Sequence, residues 1–283
     1  MSTSTVLAGP PDDCCFSRGV KHSGTPVGRR ETIAGVPTYI SEPPSEAQSD
    51  GKKVILFMSD IWGPFGNNAM LVQDYFAANG FHVVGLDYFF GDTVDKYDDQ
   101  PNFDRFEFSK SKKQVADEAV PKWFTAIKAM YGQGPNTKYC AVGRSSVINA
   151  ALDANAHCTS ITTLEGYCFG APYVMEWAKT KEIVAGAFAH PTLLTEDHFR
   201  NCKIPLLMSC AESDRTFPLP ARRRAEDILI EAKAQYCIHV FSGVVHGFAM
   251  KADLSTGDGR WAKEESASSV LRWFMRFTTD ESK

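Results

Sequence analysis

The chain has 283 residues and a formal net charge of −4 at neutral pH. That balance gives no basic footprint for nucleic acid or an anionic membrane surface, and neither partner is expected. No stretch approaches the ~20 consecutive apolar residues of a membrane-spanning helix, and the length suits one large α/β domain or two small ones. Eight cysteines are scattered along the sequence rather than set as a framework, which suggests free thiols in a reducing compartment. Met1 to Pro11 lacks the basic and apolar regions of a secretory signal. A cytoplasmic protein is therefore expected.

Residues 1–30 are rich in Gly, Pro, Ser and Thr and read as an irregular N-terminal segment, with a single α/β domain expected over 31–283. Thr38-Tyr39-Ile40 suggests an early strand. Val54 to Met58 is an apolar run of the kind buried on both faces of a parallel sheet. Asn68 to Asn79 has helical spacing and stops before Gly80, and His82 to Leu86 is the next strand. Residues 91–108 read as a charged, aromatic loop, followed by a helix from about Lys112 to Met130 with a local disturbance at Pro121. Tyr139 to Val142 is a further strand. Beyond it, helices are predicted over Pro172–Lys179, Ala221–Ala234 and Trp261–Phe277. Strands are predicted over Val184–Ala189, Pro205–Cys210 and Cys237–Phe241. The last helix places Ala267, Val270, Leu271, Phe274 and Phe277 on one face. Strands alternating with helices imply a doubly wound, mainly parallel sheet flanked by helices.

The chemistry centres on Gly166-Tyr167-Cys168-Phe169-Gly170. This G-x-C-x-G run has the form of a nucleophile elbow, the sharp strand-to-helix turn of the α/β-hydrolase fold, with cysteine in the serine position. The glycines two residues either side make room for a strained backbone. Asp214 and His246 follow in the order that fold requires, each in the turn after a predicted strand. In such sheets ligands bind at the carboxyl ends of the strands, where these groups converge. His246 would take the thiol proton, Asp214 would orient the imidazole, and the thiolate would be the nucleophile. The backbone N–H groups of Phe169 and Ile61 would form an oxyanion hole. Trp62, Tyr167 and His190 are pocket candidates, although aromatic packing or a structural histidine would also explain them. Glu212 competes with Asp214 for the acid, and Ser145 or Ser146 with Cys168 for the nucleophile, but neither serine has the second glycine. Cys14-Cys15 with His22 lacks tetrahedral zinc spacing, so no metal or organic cofactor is expected.

Four segments carry a family resemblance: Ser59-Asp60-Ile61-Trp62-Gly63, the Cys168 elbow, Glu212-Ser213-Asp214, and Val245-His246-Gly247-Phe248-Ala249. Together they resemble the dienelactone hydrolase family. Cys14-Cys15, Gly19, His22-Ser23-Gly24-Thr25-Pro26 and Gly28 are similar to its fungal branch. The resemblance covers most of the chain. It implies a Cys-His-Asp hydrolase acting on a small lactone or ester, with a role in secondary metabolism or aromatic degradation. Asp60 matches an acidic residue that tunes the thiol's surroundings in bacterial members. Where those members carry a carboxylate-gripping arginine, this chain has Met250, with Lys251 next, so a dienelactone carboxylate is not the expected substrate.

A larger departure follows the central strand. The family pattern would run Ala141-Val142-Gly143 straight into Tyr167-Cys168, whereas here residues 144–166 intervene, 23 in all. The reading favoured is translated intron sequence, since three times 23 gives 69 nucleotides, in frame, and long structureless loops inside compact domains are rare. A genuine loop is the second reading. The third has Ile161-Thr162-Thr163-Leu164 replacing Tyr139–Val142 as the central strand. Functionally, the alternative to a hydrolase is a non-catalytic scaffold or binding protein of the same fold, inactivated by the insertion. The oligomeric state is not legible.

Overall fold

The computed structural model describes residues 4–10, 22–44, 51–97, 100, 102–132, 136–144 and 170–279. Its strands are β1 (Arg29–Ile33), β2 (Val36–Ser41), β3 (Lys52–Met58), β4 (His82–Leu86), β5 (Thr137–Arg144), β6 (Ala185–Ala189), β7 (Leu206–Ser213) and β8 (Tyr236–Val245). Its helices are α1 (Asn67–Ala78), α2 (Arg105–Tyr131), α3 (Gly170–Ala178), α4 (Glu196–Arg200), α5 (Leu219–Glu231), α6 (Phe248–Lys251) and α7 (Gly257–Thr278). The strands form one sheet in the order β1-β2-β4-β3-β5-β6-β7-β8. β1 and β2 pair antiparallel, as do β2 and β4, and every other pairing is parallel.

Two-residue periodicity explains why β3 is apolar at every buried position. Val54, Leu56 and Met58 join one core with Trp123, Phe124 and Ile127 of α2, Val174 and Met175 of α3, and Ile228 and Leu229 of α5. Ile55 and Phe57 join the core of the opposite face with Val72 and Phe76 of α1 and Val270 and Phe274 of α7. A strand covered on both sides has no polar face to alternate with. The result is a three-layer α/β sandwich, the fold class read from the sequence.

The connection from β3 runs to β4 on one side, and β5 then pairs on the other. The strand order therefore reverses at β3, and its carboxyl end opens the crevice where such sheets bind ligands. Gly143 at the end of β5 is packed against the start of α3. A Cβ there would lie 2.5 Å from the Gly170 carbonyl carbon and 2.6 Å from the Ala171 nitrogen. Two chain positions separated by residues 144–169 are thus in backbone contact.

Some elements differ from the sequence reading. β1 begins inside the segment predicted to be irregular, because four of its five residues are exposed and carry no apolar alternation. α2 begins at Arg105 rather than near Lys112, set by Asp104, whose Oδ1 accepts the Glu107 N–H at 2.9 Å. The predicted loop is thus helical over its last residues. β5, paired to β3 and β6, is the central strand, so the reading that displaces Tyr139–Val142 in favour of Ile161–Leu164 is overturned. Residues 161–164 themselves lie outside the described residues.

Candidate active site

The loops after β3, β6, β7 and β8 meet at one edge of the sheet. Parallel pairing puts Ser213 of β7 opposite Val245 of β8 across a bulge, and the His246 N–H donates to the Ser213 carbonyl at 3.2 Å. The next side chains on the two strands are Asp214 and His246, and this register makes them neighbours. His246 Nδ1 lies 2.7 Å from Asp214 Oδ1, with both side chains almost wholly buried.

Asp214 Oδ1 is also the end point of three donors from the turn that follows. The Thr216 N–H donates at 2.9 Å, the Phe217 N–H at 3.0 Å and the Thr216 hydroxyl lies at 2.8 Å. Burial alone would raise this carboxyl's pKa. The charge and hydrogen bond of His246, with the bonds from Thr216 and Phe217, outweigh it and hold the pKa below its ordinary value. The carboxylate therefore stays ionised beside the imidazole. Thr216 Oγ1 additionally lies 2.7 Å from His246 Nδ1.

Glu212, the competing acid, is exposed and accepts the Gly243 N–H at 2.8 Å, bracing β8 instead of reaching the imidazole. His190, at the end of β6, is fully buried with its ring centroid 5.1 Å from that of His246 and 5.5 Å from that of Phe248. Its φ of +39° is a left-handed value that a non-glycine residue seldom adopts.

The loop after β3 supplies Asp60, Ile61 and Trp62. Asp60 is buried and its Oδ1 accepts the Trp62 N–H at 2.9 Å, while its carbonyl accepts the Gly63 N–H at 3.0 Å. Gly63 has a φ of +74°, which the turn requires. The Ile61 carbonyl is engaged by the Val94 N–H at 3.2 Å, and the Tyr88 hydroxyl donates to the Ser59 carbonyl. Buried Lys251 places its Nζ 4.2 Å from the centre of the Trp62 ring, a cation–π contact that joins α6 to this loop.

Cys168, Tyr167 and Phe169 lie outside the described residues, as do Ser145 and Ser146. The fold brings together Asp214, His246 and His190 on the one hand, and Asp60, Ile61, Trp62 and Lys251 on the other. Thr216 was not singled out by sequence reasoning. The available signal was the spacing Asp214-Arg215-Thr216, in which an aspartate caps the backbone two residues on. Among the described residues no group of three His, Cys, Asp or Glu side chains could hold a metal ion, and no helix is long and apolar enough to cross a membrane.

Comparison with known proteins bears on this arrangement. The sequence model of the dienelactone hydrolase family matches residues 36–278. "Dienlactone hydrolase 1" of Gibberella moniliformis is 33% identical over 273 residues, covering 95% of this chain and 94% of that one. "Hydrolase pyvD" of Aspergillus violaceofuscus is 32% identical over 268 residues, covering 95% and 97%. Among solved structures, dienelactone hydrolase from Anabaena variabilis superposes with a TM-score of 0.54 at 12% identity, over 90% of this chain and 99% of that one. The dienelactone hydrolase-like promiscuous phosphotriesterase P91 from metagenomic libraries gives 0.58 at 16%, over 90% and 99%. These structures share the fold. With the family match spanning β2 to α7, the chain belongs to the dienelactone hydrolase family and is a lactone or ester hydrolase acting on a small-molecule substrate.

Proposed function

We propose that the chain hydrolyses its lactone or ester through a thioester on Cys168, with His246 as general base and acid and Asp214 as its orienting carboxylate. The observation that carries this reading is the buried 2.7 Å contact between His246 Nδ1 and Asp214 Oδ1, in a chain whose G-x-C-x-G motif runs directly into α3. His246 Nε2 accepts the Cys168 thiol proton and the sulfur attacks the acyl carbon. The tetrahedral oxyanion is stabilised by the Ile61 and Phe169 backbone N–H groups. Collapse breaks the acyl–oxygen bond, and His246 returns the proton to the departing alkoxide. Water then attacks the thioester with His246 again as base, releasing the carboxylic acid and restoring the thiol.

α3 starts at Gly170, two residues after Cys168 in sequence, and a helix N-terminus and a neighbouring imidazolium are surroundings that favour a reactive thiolate. Asp60 is proposed to tune the thiol, and Trp62, Tyr167 and His190 to shape the pocket. A cytoplasmic setting follows from the scattered cysteines, and a role in secondary metabolism or aromatic degradation from the resemblance of the N-terminal motif to the fungal branch. Residues 31–283 are proposed to form the hydrolase domain, with 144–166 inserted in it.

The test is release of nitrophenol from a short acyl ester. Cys168→Ala is expected to lower kcat/KM at least ~1000-fold, and mass spectrometry of a rapidly quenched reaction should show the acyl group on the Cys168 peptide. Turnover that persists in Cys168→Ala, or acyl transfer to another residue, would overturn the assignment.

A further inference from the structure

We propose that Thr216 is a positioning residue whose hydroxyl fixes which nitrogen of His246 carries the proton. The inference deepens the hydrolase reading above and rests on it for its chemical consequence. Thr216 is buried, and among the described residues its Oγ1 has three neighbours: His246 Nδ1 at 2.7 Å, Asp214 Oδ1 at 2.8 Å and the Pro191 carbonyl oxygen at 3.0 Å. A hydroxyl has one proton and two lone pairs to distribute among them. Both oxygens are pure acceptors, and the carboxylate is ionised and nearer, so it takes the proton in the stronger, charge-assisted bond. The Oγ1 lone pair then faces Nδ1 as an acceptor.

An unprotonated Nδ1 is disfavoured by both oxygens. Thr216 could donate to it only by giving up its charge-assisted bond to Asp214, and Asp214 Oδ1 would then sit 2.7 Å from the Nδ1 lone pair with no proton between them; without the hydroxyl only the second of these penalties remains. A protonated Nδ1 shares its hydrogen between the two oxygens and leaves Nε2 as the unprotonated nitrogen, the one a general base needs.

The second acceptor matters because the first is heavily used. Asp214 Oδ1 already receives two backbone N–H groups and the hydroxyl, each drawing charge from the oxygen that holds the imidazole. Its Oδ2 is buried and has no hydrogen-bond partner among the described residues, so rotating the carboxylate to present that oxygen would strip Oδ1 of its donors. The Thr216 backbone is itself anchored. Its carbonyl accepts the Gly9 N–H at 2.6 Å, and the Gly9 carbonyl in turn accepts the Leu193 N–H at 3.0 Å. The N-terminal segment and the loop after β6 thus hold the hydroxyl in place.

Thr216→Val keeps the shape and the backbone N–H to Asp214 but removes the hydroxyl. Loss of one hydrogen bond to a charged pair is expected to lower kcat about 10- to 100-fold, with KM within roughly twofold. Thr216→Ser should stay within about threefold of the unsubstituted enzyme, since it restores the hydroxyl. An independent readout is the nitrogen NMR spectrum of protein labelled with 15N-histidine, the His246 signals assigned by their loss in His246→Gln. Nδ1 should be protonated at neutral pH in the unsubstituted protein and in Thr216→Ser, and should become a mixture of tautomers in Thr216→Val. Three results overturn the proposal: Nδ1 unprotonated in the unsubstituted protein, Thr216→Val unchanged in both kcat and tautomer, or Thr216→Ser as impaired as Thr216→Val. Should Thr216→Val not fold, the first result still decides, as does a folded Thr216→Ser whose kcat falls about tenfold or more. Absence of Cys168-dependent turnover would remove the proposed function, while the His246 tautomer compared between the unsubstituted protein, Thr216→Val and Thr216→Ser would still judge the role of Thr216.

Discussion

Deleting residues 144–166 is the perturbation with the most at stake. Gly143 and Gly170 are in backbone contact, so any connection between them must bring its two ends together. The present connection, 144–169, has 26 residues, and the deletion leaves three, 167–169. If the removed stretch buries nothing of its own, the closure cost falls by (3/2)RT ln(26/3), about 1.9 kcal/mol. For a chain of this size that is a rise in Tm of roughly 4 °C. The assay is a reversible thermal melt by circular dichroism, paired with kcat/KM on a nitrophenyl ester, which should rise together with Tm. A deletion variant with an unchanged or lower Tm refutes the reasoning. It would mean that the segment buries surface the sheet depends on, and the intron reading would fall with it.

Two further outcomes follow from the same packing and electrostatics. Gly143→Ala places a methyl against the backbone of Gly170 and Ala171, which no side-chain rotation relieves, and should cost about 3 kcal/mol or more in urea denaturation. Gly66→Ala is the control, with open space around it and a φ of −62°, and should cost no more than about 1 kcal/mol, the preference for glycine over alanine at the N-cap of α1. His22 is held at a pKa of about 4, first by burial and then by the charge of Lys263. Its folded value lies below its unfolded value near 6.5, so between those limits the unfolded chain takes up a proton that the folded chain refuses. Stability should therefore decline as pH falls from 6.5 towards 4, by about 2 to 3 kcal/mol at pH 4.5, and His22→Gln should flatten that slope. Equal slopes in the two proteins would refute the assignment.

Much of the sheet could be read from the chain because its physics is local. The apolar run Val54–Met58 declares a strand buried on both faces, and the spacing of Val270, Leu271 and Phe274 declares a helix lying on the sheet. What escaped were elements without a local signature. β1 is exposed and polar along most of its length, so it exists only because β2 offers it backbone partners. The early start of α2 depends on a single cap at Asp104, and the five residues of α4 are too few for any periodicity.

The candidate site divides in the same way. Its residue types and their order, the elbow cysteine followed by Asp214 and His246, belong to the sequence, because catalytic chemistry limits which side chains can serve. Tertiary structure decided which acid reaches the imidazole. Asp214 and Glu212 stand two positions apart on one strand end, and only the bulged register of β7 on β8 buries one against His246 and turns the other to solvent. The same register explains why Thr216 was invisible beforehand. Its hydroxyl can bond Asp214 within the turn, but it reaches the imidazole only when a second strand, 30 residues away in sequence, is laid beside it. Distances between strands are set by pairing, and pairing is not a local property of either strand.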